Sequence, residues 1–303
     1  LPMMLMITIA ASALTFYLWI KSDGVKLFIE KSYLPKIYAH MWPLTMAIIF
    51  NAIYLQGDRV ILPLYVNQTE VGLYGAAFRV LDIIVQLIAL IVGTLMPLLA
   101  YTYNTQEEKL FQKRTQNTFD LMTILFIPMI FGIGALATPI ITLVAGNEFT
   151  ASGLILQCLC LGLLGIFFGL IFGHVILSMS RQKKTLWIYI SDAIVSLILF
   201  FIFIPMYGLW GAVLVSVLAE IYAGVCLTAV AIRQTKFIPS FFIFFKIVIA
   251  SAIMASAVYL LPSQHVLISI LYGVIIYGGL LLLFQVVPKG MIKEIFYAKN
   301  GVD

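Results

Sequence analysis

Charge is what this sequence has least of. Asp, Glu, Lys and Arg make up 10% of its 303 residues, against about 25% in an ordinary soluble domain. That excludes a water-soluble globular fold and leaves a polytopic membrane protein. Cysteine is also scarce. Cys158, Cys160 and Cys226 each lie within an apolar run, and the first two point away from each other on a helix. They read as small core residues and supply no disulfide or metal framework. No His, Cys or carboxylate cluster has metal-ligand spacing, and no glycine-rich phosphate loop is followed by a lysine. The expectation is therefore no metal, no cofactor and no fused ATPase. Long loops are missing on one side, where the turns are only VNQTE, GNEFT, PMYG and LPSQH. A membrane glycosyltransferase or polymerase displays its carboxylates on a large outer loop, so the chain reads as a non-enzyme. The net charge of +5 marks membrane flanks in such a composition, and implies no nucleic-acid partner.

What is present is a series of nine apolar segments: residues 1–20, 37–66, 71–103, 118–145, 151–180, 184–205, 208–232, 238–261 and 266–287. Each is long enough for a membrane helix, the longer ones tilted or projecting. The fold expected is an all-α polytopic membrane helix bundle of about nine transmembrane helices. Of the 18 Lys and Arg residues, 15 lie in linkers or the tail. All 15 follow the first, third, fifth, seventh or ninth segment, and the other turns carry no cation. By the positive-inside rule the basic side is cytoplasmic, which puts the C-terminus inside. Trp19, Trp42, Trp187 and Trp210 fall near segment ends, as interfacial aromatics do. The linkers 21–36 and 104–117 have room for interfacial amphipathic helices. The chain opens on Leu1-Pro2-Met3 within an apolar run, which reads as a piece whose N-terminal part is missing.

Four charges interrupt segments two and three: Asp58, Arg59, Arg79 and Asp82. An ionisable group inside a membrane span is a functional-site hypothesis by default. With the turn centred between Gln68 and Thr69, equal counting on the two arms brings Asp58 level with Arg79. The pair reads as an ion pair locking the hairpin, with Asp82 one turn from Arg79 and able to share it. Arg59 lies about 100° round the helix from Asp58, which makes it the better cavity cation. Asn51, Tyr54, Gln56 and Tyr74 either face a polar substrate or make helix contacts. Glu220 stands near the middle of its segment, about 18 Å from either end. It is either a hydrogen-bonded structural carboxylate or an ion-coupling group. Asp192 and Lys246 share the cytoplasmic half and offer a further pair.

Three stretches carry a resemblance: GDRVILPLYVNQTEVGLYGAAFRVLDII, ILSMSRQKKTLWIYISD and FIFIPMYGLWGAVLVSVLAE. In this order and topology they resemble the polysaccharide transporters of the MOP superfamily. These are Wzx-type flippases of lipid-linked oligosaccharides, distant relatives of the lipid II flippase and the MATE exporters. The resemblance implies a MATE/MOP-like bundle of about 14 helices in two lobes, of which this chain lacks the N-terminal five. Residues 1–36 would then be the last helix of the N-terminal lobe with a cytoplasmic linker. Residues 37–233 would be the C-terminal six-helix lobe, and 234–303 an additional helix pair with a cytoplasmic tail. The function implied is secondary transport of undecaprenyl-diphosphate-linked oligosaccharide to the outer face of a bacterial cytoplasmic (inner) membrane, for cell-surface polysaccharide synthesis. Glycan polymerase and chain-length proteins are the implied partners, beside membrane lipids. Arginine suits such a substrate, because its planar fork matches phosphate oxygens and stays charged. Arg59 and Arg79 are the residues of that type. The alternatives are a MATE-like small-molecule exporter and a non-transporting scaffold of the envelope glycan machinery.

Overall fold

The computed structural model describes residues 10–18, 21, 34–260 and 265–286. Contacts divide the chain into two units, Leu1–Trp42 and Pro43–Asp303. In the first, residues 10–18 are helical and exposed. The first apolar segment lies mostly outside the described residues, as do the linker 22–33 and the tail from 287.

The remaining eight apolar segments become nine helices: α1 Leu34–Ile61, α2 Gln68–Asn104, α3 Glu108–Ala145, α4 Ser152–Leu159, α5 Gly162–Ser178, α6 Gln182–Tyr207, α7 Leu209–Thr235, α8 Phe242–Leu260 and α9 Val266–Leu283. Seven spans are long and apolar enough to cross a membrane, and α4 with α5 makes an eighth that is bent by 42°. No strand occurs among the described residues. With water absent from the hydrocarbon, a chain this apolar satisfies its backbone only by closing each span on itself.

Two sequence expectations change. Segment 151–180 is broken at Cys160–Leu161, where the amides of Leu161 and Leu163 reach back only three residues. The polar stretch 104–117 is not a separate linker helix, because α3 starts at Glu108 and runs 38 residues. At 1.5 Å per residue that is about 57 Å, well beyond a hydrocarbon core of about 30 Å. Its first turns therefore project past one end of the bundle.

The turns have local causes. Asn67 caps α2 by accepting from the Glu70 amide at 2.9 Å, and Glu70 sits at the positive end of the helix dipole. Between α6 and α7, Gly208 takes φ +57°, a region that Cβ-bearing residues rarely enter. A Cβ at Gly211 would collide with the Phe203 carbonyl. The Ile-Pro-x-Tyr-Gly-x-x-Gly stretch is thus a tight hairpin whose glycines answer to backbone geometry. In α3, Leu136 is non-helical, three residues before Pro139. Proline cannot donate to the carbonyl four residues back, and the Gln157 amide of α4 donates to the nearby Gly134 carbonyl at 3.0 Å.

The core is centred on the crossing of α5 and α7. A Cβ on Gly165 would strike the Glu220 carbonyl, and one on Gly224 would strike the Gly165 carbonyl, while Gly169 faces Gly224 across the same seam. Without a hydrophobic drive between helices in lipid, such close backbone approach is what holds them. Beside it, Phe119, Phe167, Phe168, Phe172, Phe241 and Phe244 form a continuous aromatic cluster.

Candidate functional site: the cavity between α1, α2 and α7

Helix α1 gives way to a 3-10 turn at Leu62–Leu64, with Pro63 inside it. Such a turn rises about 2.0 Å per residue, against 1.5 Å in an α-helix. Equal counting from a turn at Gln68–Thr69 therefore misplaces the two arms. The ion pair is not Asp58 with Arg79 but Arg59 with Asp82. Arg59 Nη2 donates to Asp82 Oδ1 at 2.9 Å and to Oδ2 at 3.1 Å. The guanidinium also lies 4.8 Å from the Phe78 ring centre, a cation–π contact. Arg59 and Asp82 are 35% and 45% exposed, so the pair borders an open space and is not sealed in the core. Arg59 Nε is buried with no acceptor.

Asp58, about 100° away on α1, points into the bundle and is almost wholly buried. It accepts from the Tyr74 hydroxyl at 2.5 Å, from Ser216 Oγ of α7 at 3.2 Å and from the Arg59 amide at 2.7 Å. Tyr74 and Ser216 oxygens are themselves 3.0 Å apart. Three donors from three directions satisfy a buried carboxylate without a cation. Tyr74 is therefore no sugar-facing side chain. It is buried and committed to Asp58.

Arg79 is exposed on α2 and has no ion pair or hydrogen bond among the described residues. It stands 11 residues into the helix, about 16 Å from its start. The roles assigned from counting are thus exchanged: Arg59 is the paired cation and Arg79 the open one.

A cavity of about 250 Å³ opens beside the Arg59–Asp82 pair. Gln56, Asp58, Arg59, Asp82, Gln86, Ser216 and Glu220 give it a polar wall, with Tyr54 and Phe78 beside them. Tyr54 is buried and stacks on Tyr189 of α6, centroids 6.1 Å apart. Gln56 is exposed at the rim. Asn51 is half-buried and does not line the cavity. Glu220 reaches the cavity and has no hydrogen-bond partner among the described residues, and Asp192 and Asp58 lie within its electrostatic range. Asp192 is buried, with Oδ2 unpartnered. It does not meet Lys246, whose ammonium donates to the Phe284 carbonyl at 3.0 Å and lies over Phe242.

Ser216 and Gln86 are the site residues that sequence reading missed. Both were accessible to it by helical spacing. Ser216 is four residues before Glu220 and Gln86 four after Asp82, so each shares a face with a residue already singled out. Among the described residues no group of His, Cys, Asp or Glu is gathered to hold a metal ion. The cavity is open to one side and forms one wall or recess of a site.

Comparison with known proteins gives three likenesses. Residues 4–153 match the family model for "Polysaccharide biosynthesis protein". A probable low-salt glycan biosynthesis flippase, Agl15, of Haloferax volcanii is 23% identical over 248 residues, 78% of this chain and 52% of its own length. Among solved structures, the lipid II flippase MurJ in its inward closed conformation superposes with a TM-score of 0.71 at 22% identity, over 94% of this chain and 60% of that one. The structural likeness shows the fold. The family match and the glycan-flippase relative bear out the resemblance to the polysaccharide transporters of the MOP superfamily. The chain spans about half the length of the curated relative it matches.

Proposed function

We propose that this chain supplies one lobe of a secondary flippase that carries an undecaprenyl-diphosphate-linked oligosaccharide across the bacterial cytoplasmic membrane by alternating access. Residues 37–233 would form that lobe, 234–303 an additional helix pair, and the C-terminus would lie in the cytoplasm. Glycan polymerase and chain-length proteins would act on the delivered product.

The observation that carries the reading is Arg79. A charged side chain within a span costs several kcal/mol unless it meets water or a counter-ion. Arg79 is exposed on α2 and meets no anion among the described residues. Arg79 is not itself on the cavity lining; it stands one helical turn from Asp82, which is. A diphosphate passing that wall gives Arg79 a bidentate partner. The Arg59–Asp82 pair, with one unsatisfied Arg59 donor, gives the cavity wall its own cation, which phosphate can recruit by exchange. Gln56 and Gln86 offer the hydrogen bonds that sugar hydroxyls need. Glu220, unbonded on the cavity wall, is the group placed to couple a proton or a sodium ion to the movement.

The test is complementation by the whole gene in a strain lacking its glycan flippase. Arg79→Ala is expected to abolish surface glycan at normal protein level, Arg79→Lys to restore part of it, and Arg59→Ala to reduce it less. Full surface glycan with Arg79→Ala would overturn the phosphate role.

A second reading is favoured by Glu220 alone. An unbonded acid on a cavity wall suits a MATE-like exporter of small cations. Loss of resistance to cationic drugs in Glu220→Gln, with glycan export intact, would select that reading. A scaffold that transports nothing predicts that neither substitution matters.

A further inference from the structure

We propose that a groove between the first turns of α3 and the start of α8 binds the phosphate headgroup of an anionic phospholipid in the leaflet at the basic end of the bundle. The groove has a volume of about 630 Å³. One wall is polar and cationic, with Lys109, Gln112 and Lys113 at helical spacing on α3, and the facing wall is apolar, with Ile238, Phe242 and Ile243.

Depth matches the two walls to the two parts of a lipid. The first turns of α3 extend past the hydrocarbon, because the helix is far longer than the core is thick. The 19 residues of α8 from Phe242 come to about 28 Å, the thickness of the core itself. Lys109 and Lys113 therefore stand at headgroup level, with Phe242 and Ile243 at the acyl boundary below them. Lys236, exposed at the end of α7, adds a third cation at that level, in the linker leading to the apolar wall. A basic cluster at this depth strengthens the hold on anionic lipid about fivefold per residue.

The groove is braced without a ligand. The Gln116 side chain accepts from the Ser240 amide at 2.7 Å and donates to the Ser240 carbonyl at 3.2 Å, tying the two walls together. The Gln116 side-chain nitrogen also donates to Asp120 Oδ1 at 2.8 Å, which ties down the acid on the groove lining. Inorganic phosphate would engage the lysines and leave the apolar wall unused, so the occupant assigned is a lipid. This inference is independent of what the protein transports.

The experiment uses the whole protein in detergent, titrated with phosphatidylglycerol, phosphatidylcholine or inorganic phosphate, with bound lipid counted by native mass spectrometry. Phosphatidylglycerol is expected to stay bound in preference to phosphatidylcholine. Lys109→Gln with Lys113→Gln should weaken that binding about thirtyfold, and Lys109→Arg with Lys113→Arg should retain it. Lys183→Gln with Lys184→Gln removes two exposed lysines elsewhere on the same end and should leave it unchanged. Retention by the first variant, or equal loss in the last, would overturn the site. Equal competition by inorganic phosphate would overturn the lipid.

Discussion

The α1–α2 hairpin and the α5–α7 crossing lie side by side and solve opposite problems. At the crossing there is no room at all. Gly165 and Gly224 bring backbone against backbone, and any side chain there displaces a helix. At the hairpin there is room, and it is occupied by charge. Gly75 and Gly93 on α2 have nothing near the place of a Cβ, while Arg59 and Asp82 share a half-exposed pair. Close packing fixes the one as a rigid joint. The other is a surface whose groups stay available to exchange partners. The proposed movement of a polar headgroup through lipid would use both, because a site without a fixed frame cannot be switched between two sides.

The crossing and the hairpin differ most at their glycines. Gly165→Leu or Gly224→Leu should remove folded protein from the membrane, whereas Gly75→Ala and Gly93→Ala should leave its level unchanged. Quantitative immunoblotting of membranes measures both, and loss of protein in the Gly75 or Gly93 variants would show a neighbour on that face. Next in size is Asp58→Ala. It removes the acceptor that the Tyr74 and Ser216 hydroxyls share; one can turn to the other, which leaves one donor stranded in the bundle at about 1–3 kcal/mol, and thermal unfolding in detergent should show a clear drop. Asp58→Asn keeps an acceptor and should lose less. If both variants unfold alike, the carboxylate has a role beyond accepting those bonds.

A smaller effect is expected at Arg59 and Asp82. A double-mutant cycle with alanine at each should give a coupling of about 0.5–1 kcal/mol, the range for a solvent-open pair. A coupling several times larger would make the hairpin a sealed structural pair and remove its contrast with the crossing. Smallest is Gln157→Leu, which removes an exposed hydrogen bond to the Gly134 carbonyl beside the α3 kink and should cost about 0.5 kcal/mol or less. No change in unfolding temperature would mean that lipid or water replaces the amide there.

How much was legible in the sequence differs by level. The eight described spans follow from apolar run length, since hydrocarbon leaves a chain few ways to satisfy its backbone. The break within 151–180 was not legible, because Cys160-Leu161-Gly162 carries no proline and the bend serves a neighbour, α7, that periodicity does not reveal. Residue types at the site were legible as well, since charges inside apolar runs announce themselves. Their partners were not. Counting gives Asp58 a cation, but its donors are a backbone amide and two hydroxyls, one of them from a serine 158 positions away.

By itself, then, the sequence determined the class, the number of described spans beyond residue 36 and the short list of ionisable residues inside them. Each of these depends on composition and local rise alone. Which arginine is paired and which is open was decided only in three dimensions. The 3-10 turn at Leu62–Leu64 shifts the two arms against each other, and α7 brings Ser216 to Asp58. A shift of one position turns a side chain about 100° on a helix, enough to exchange the roles of Arg59 and Arg79.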